Sequence, residues 1–143
     1  MVRVFMPILI AIMLTGCTNG LPNGIHRPPE GKVILDDEHY TMIQSYYEWT
    51  EEDFDITTTA NPNELEDNFE TFVAEKGDTL TFKIDNNPIS FTVTKLNEDG
   101  TIESVQIKDN KINGPLKEGY YIYELNTTWD QGKATFTFDI NVH

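Results

Sequence analysis

The sequence predicts an all-β fold, an antiparallel β-sandwich of about seven strands. Apolar residues recur at every second position through most of the chain, which is the period of a half-buried strand. Clusters of Asn, Asp, Gly and Pro interrupt these runs every eight to twelve residues or so, the spacing of hairpins. The chain has 143 residues, enough for one self-sufficient core.

The first element is a leader, not a strand. Arg3 is the only charged side chain before Arg27, and it precedes the apolar run Val4 to Leu14. Eleven residues at about 1.5 Å each cover about 16 Å, roughly half a bilayer core, and Pro7 weakens the run further. A basic start, a short apolar centre and small residues at the end make a secretory signal. The leader closes on Leu14-Thr15-Gly16-Cys17, where the chain's single cysteine sits. This stretch resembles the bacterial lipobox, Leu-x-(Gly or Ala)-Cys, and matches it at every position. The resemblance implies that the leader (1–16) is cut off, that Cys17 carries a diacylglycerol thioether, and that its two acyl chains, palmitate among them, hold the protein at the extracytoplasmic face of the cell membrane. With Cys17 acylated no thiol is left for a disulfide, so stability must come from a packed core.

Residues 17–31 form the lipidated cysteine and a flexible linker, since Thr18 to Gly31 is rich in Pro and Gly and lacks apolar periodicity. Extended, its fourteen residues reach at most about 50 Å. The domain is expected over 32–143. Val33 to Leu35 and a stretch around Tyr40 to Trp49 supply its first strands. Asn61-Pro62-Asn63-Glu64 then reads as a helix start, with Pro at the first helical position and acids in the first turn. Leu65, Phe69 and Phe72 or Val73 follow at helical spacing, so a short helical turn near 62–68 is expected between two strands. Leu80, Phe82 and Ile84 alternate as a strand, as do Ile89, Phe91 and Val93, and a weaker strand ends at Val105 and Ile107. Gly119 to Asn126 is apolar on both faces and rich in β-formers, as a central strand would be. In the last strand Ala134, Phe136, Phe138, Ile140 and Val142 alternate with Thr135, Thr137, Asp139 and Asn141.

Charge excludes some partners. Twenty-four acids face ten bases, a formal net charge of −14, and loss of Arg3 with the leader makes it one unit more negative. Nucleic acid is not an expected partner, because no basic patch exists to displace counterions from phosphates. Anionic headgroups do not attract such a chain either, which leaves tethering to the acyl group. Between Lys32 and Lys76 there is no Lys or Arg, and that acidic segment suits a solvated face or attraction for cations or a basic partner.

The residues for catalysis are sparse. There is no Gly-x-Ser-x-Gly and no thiol beyond Cys17. Of three histidines, His26 lies in the linker and His143 is the last residue, so only His39 sits inside the domain. A single histidine does not make a zinc pattern. Asp36-Asp37-Glu38 and Glu51-Glu52-Asp53-Phe54-Asp55 offer oxygens to calcium without EF-hand spacing, and whether they form a site is left open. No catalytic, cofactor or metal residue is assigned, and no enzyme activity is expected. Tyr47 and Trp49 share one face of a strand, with Tyr46 opposite. Exposed, they are candidate ligand-binding residues that could stack a sugar or anchor a protein; buried, they are core, and Trp129 before a turn is placed to close one core end.

Tyr46-Tyr47-Glu48-Trp49, Asn61-Pro62-Asn63-Glu64-Leu65, Glu75-Lys76-Gly77-Asp78 and Asn87-Pro88 occur in that order. Gly119-Tyr120-Tyr121-Ile122-Tyr123 and Trp129-Asp130-Gln131-Gly132 through Phe138 are similar to the last hairpin of many Ig-like domains. Together these features resemble small surface lipoproteins of Bacillus-type, Gram-positive bacteria that carry an Ig-like domain of unknown function. The resemblance covers roughly residues 32 to 142. It implies an Ig-like sandwich outside the membrane and carries over no catalytic or binding residue. The terminal hairpin alone is also similar to bacterial intracellular proteinase inhibitors, although an exported lipoprotein departs from their compartment. The expected function is a non-enzymatic binding module for an envelope protein or glycan, with an inhibitor of an exported protease or a carbohydrate-binding module as alternatives.

Overall fold

The computed structural model describes residues 28–51, 54–59 and 68–143. Its strands are β1 (Gly31–Leu35), β2 (Glu38–Thr41), β3 (Ile43–Glu51), β4 (Phe54–Thr59), β5 (Phe72–Ala74), β6 (Thr79–Ile84), β7 (Ser90–Leu96), β8 (Ile102–Val105), β9 (Lys111–Asn113), β10 (Gly119–Thr128) and β11 (Gly132–Val142). They build two sheets. One has four strands in the order β2-β1-β6-β9; the other has seven, in the order β4-β3-β11-β10-β7-β8, with β5 on β11. Every pairing is antiparallel except β5 with β11.

Four strands lie beyond the expected seven, β2, β4, β5 and β9, all short or polar, and β2 divides the stretch expected around Tyr40 to Trp49. β5 and β9 have three residues each, and β4 ends in Thr57-Thr58-Thr59. None shows an apolar alternation long enough to register. They form because a neighbouring strand presents unpaired backbone groups, and pairing satisfies them. Phe72 and Val73 belong to β5, so the helical spacing does not continue that far. The helical turn expected at 62–68 falls outside the described residues but for Asn68.

Turn chemistry sets the register. Asp36-Asp37, Asn86-Asn87 and Asp109-Asn110 all have positive φ, between 43° and 68°. Asx residues tolerate this left-handed region better than most side chains, and two in succession make a tight turn: Asp36-Asp37 closes the β1–β2 hairpin, while Asn86-Asn87 carries the chain from one sheet to the other. Across Asp109-Asn110 the amides of Lys108 and Lys111 each donate to the other's carbonyl at 3.0 Å. Gly132 meets a different demand. Any Cβ there would overlap the Glu48 carbonyl oxygen and lie 2.9 Å from Trp49 Cα, so β11 can start against β3 only with glycine.

The core lies between the sheets. β1, β6 and β9 contribute Val33, Leu35, Leu80, Phe82 and Ile112. Phe82 reaches across to Phe138 at 5.9 Å and to Phe91, edge-on, at 6.0 Å. All five apolar residues of β11 are buried, as their alternation predicts. The expected Ile89-Phe91-Val93 face is graded: Val93 is buried, Phe91 half-buried and Ile89 exposed. Folded structure starts slightly before position 32. The Glu30 amide donates to Asp85 Oδ2 at 3.0 Å, the Asp85 amide to Glu30 O at 3.0 Å, and β1 begins at Gly31.

Candidate functional site

The aromatic pair proposed for ligand stacking is in the core. Tyr47 is 2 % and Trp49 3 % exposed. Their rings stack on each other at 5.8 Å, and Trp49 tilts against Trp129 at 5.6 Å. The alternation was right, with Tyr46 on the other face, but the shared face is the inner one. The reason is position: β3 lies between β4 and β11, and its inner side chains join the interior that Trp129 helps to close. Tyr46 donates from its phenol to Glu48 Oε1 at 2.7 Å, which holds its pKa above the ordinary value. Tyr47 and Trp49 therefore present no platform to a ligand.

The acidic segment forms no metal centre among the described residues, where no three His, Cys, Asp or Glu groups converge. Asp36 and Asp37 occupy the β1–β2 turn, and His39 is exposed on β2 opposite Ile34. Cys17, His26, Glu52, Asp53, Glu64, Glu66 and Asp67 lie outside the described residues, as do the leader and most of the linker.

What the fold does bring together is at the sandwich end containing the connections 97–101 and 114–118. On the outer face of the larger sheet, register aligns Asp139, Ile122, Leu96 and Ile102 across β11, β10, β7 and β8. Exposure grows along that row. Asp139 is buried, Ile122 half-buried, Leu96 37 % and Ile102 69 % exposed. Tyr120 and Val73, both exposed, flank Asn141 in the next row. Asp139 is held by two hydroxyls: Tyr120 donates to its Oδ2 at 2.5 Å and Thr71 at 3.0 Å, while Oδ1 has no partner among the described residues.

Behind β7 and β8, on the inner side, lies an open recess of about 560 Å³. Its walls carry the carboxylates of Glu98, Asp99, Glu103 and Glu118 and the ammonium groups of Lys95 and Lys117. Lys95 Nζ is 3.1 Å from Glu103 Oε2 and 5.4 Å from the centre of the Tyr121 ring, a charge pair with a cation–π contact. Asn97 donates from its amide to Glu103 Oε2 at 3.2 Å and to Thr101 Oγ1 at 2.9 Å. Asp99 Oδ1 accepts from the Thr101 hydroxyl and amide at 2.6 and 2.9 Å. These donors hold the pKa of both acids below their ordinary values, chiefly Thr101 for Asp99 and Asn97, then Lys95, for Glu103. The recess thus carries more carboxylates than cations.

Sequence reasoning missed this end of the molecule. Asn97-Glu98-Asp99-Gly100 belongs to the Asn, Asp and Gly clusters that interrupt the strands, but nothing in the sequence singled out Leu96 or Ile102. No local signal marks them, because the edge position of β8 follows from strand order. Compared with known protein families and with curated proteins, the chain matches none.

Proposed function

We propose that this chain is a lipid-anchored, non-enzymatic binding module at the outer face of the cell membrane, tethered through Cys17. The observation that carries the reading is Leu14-Thr15-Gly16-Cys17 at the end of a short apolar leader. The fold supports it in two ways. The body enters at Glu30, beside Asp85 and the β6–β7 turn. The connections 97–101 and 114–118 lie at the far end of β7, whose seven residues span about 20 Å. A tether at the N-terminal side thus leaves the opposite end free to meet another molecule. Its surface there is apolar and acidic, which suits a protein partner carrying apolar and basic groups. Burial of Tyr47 and Trp49 removes the feature on which a carbohydrate-binding reading rested.

Two measurements test the proposal. Cys17→Ala is expected to leave the domain folded and release it from membranes into the soluble fraction. Retention on membranes through salt washes would overturn the anchor. Cross-linking on intact cells is expected to join the anchored chain saturably to an envelope protein; failure to do so would overturn the binding role.

A further inference from the structure

Sheet edges can pair with other chains, and folds guard them with charges, polar residues or very short strands. The edges here differ. β2 exposes Glu38, His39 and Thr41, β4 exposes Asp55 and three threonines, and β9 has only three residues. The β8 edge carries Ile102, 69 % exposed, which continues the row of Ile122 and Leu96 out to the rim. On the inner side the same strand presents Glu103 above the acidic recess.

Building on the binding-module reading, we infer that the β8 edge takes up an extended segment of a partner protein in which apolar and basic residues alternate. Strand addition supplies backbone hydrogen bonds along the edge, and side chains at alternate positions read its two faces. Apolar residues of the added strand lie beside Ile102 on the outer face. Basic residues fall on the inner side, over the recess, near Glu103 and Asp99. One of the two recess cations, Lys95, is already paired with Glu103, so the remaining negative charge favours an incoming Lys or Arg. A second copy of this chain is the wrong occupant. It would bring two β8 acids toward each other between bodies of net charge −14, and like charges across a strand pair repel.

The test uses the full chain and an eight-residue peptide alternating valine and lysine, with a valine–glutamate peptide as control. Hydrogen exchange of the amides of Ile102 to Val105 is expected to slow with the valine–lysine peptide and not with the control. Ile102→Lys is expected to weaken binding at least tenfold, and Glu103→Gln about threefold with a flatter salt dependence. Ile89→Lys, at a site 63 % exposed at the other end of β7, should leave binding within twofold. Protection of β2 or β4 instead of β8, equal binding of the acidic peptide, or an Ile102→Lys chain that binds like the parent would each overturn the proposal. So would a concentration-dependent dimer that Ile102→Lys abolishes, since the occupant would then be a second copy. Cross-linking on cells to an envelope protein through another surface would overturn the β8 assignment and leave the binding module standing. Loss of all cross-linking would remove both.

Discussion

Tyr47 and Trp49 on β3 and Leu96 and Ile102 on β7 and β8 belong to the same sheet, yet one pair is core and the other surface. Both pairs sit in alternating strands, and neither has a local feature that distinguishes inside from outside. What separates them is the layer above. The inner face of β3 is covered by the interior and closed by Trp129, while the outer face near the β8 edge leaves Ile102 exposed. An alternating pattern says that two faces differ; it does not say which face another layer will meet. The comparison also explains why an apolar patch can be tolerated at a rim. It is small, it grades from Asp139 outward, and acidic side chains line its other side.

The contrast can be broken or sharpened by mutation. Trp49→Ala removes a ring packed between Tyr47 and Trp129 and is expected to cost about 3–5 kcal/mol in urea unfolding; a loss below about 1 kcal/mol would mean that this end of the core is loosely packed. Tyr120→Phe deletes the shorter of the two hydrogen bonds to buried Asp139 and should cost about 1–3 kcal/mol. An unchanged urea midpoint would show that Asp139 does not depend on that hydroxyl.

A smaller effect is expected from acid. Asp99 and Glu103 have pKa values lowered on folding from 3.8 and 4.5. Their stabilising contribution is therefore fully present above those unfolded values and is lost as pH falls through the lower folded ones. Asp99→Asn should flatten the fall in urea midpoint below about pH 4, modestly because the group is exposed; a slope identical to the parent would refute the linkage. Smallest of all, Ile102→Lys should alter stability by no more than about 0.5 kcal/mol. A cost comparable to that of Trp49→Ala would make the β8 edge part of the core rather than a surface.

Much of the fold was legible in advance. The apolar face of the terminal strand was legible, because the alternation from Ala134 to Val142 has one face that must be buried whichever sheet it joins; the burial of Thr137 and Asp139 on the other face was not. The Asn86-Asn87 turn was legible for a similarly local reason, as Asx residues tolerate positive φ; Asp36-Asp37, read as possible calcium ligands, and Asp109-Asn110 were not read as turns. β4, β5 and β9 were not legible, since their pairing is lent by neighbours. The aromatic pair illustrates the limit most clearly: its phase was correct, and its face could not be assigned without knowing where β3 lay in the sheet. Leu96 and Ile102 fail to announce themselves for the same reason, because being at an edge is a property of strand order.

Local patterning in the chain therefore settles the class of fold, the alternation of its strands and the chemistry of its turns, all of which depend on neighbours within a few residues. The order of the strands, and with it the burial of Tyr47 and Trp49 and the exposure of Ile102, comes from pairings between distant segments such as β3 with β11 and β7 with β10. Those pairings are chosen by the closing of a common core, and no short stretch of sequence contains that information.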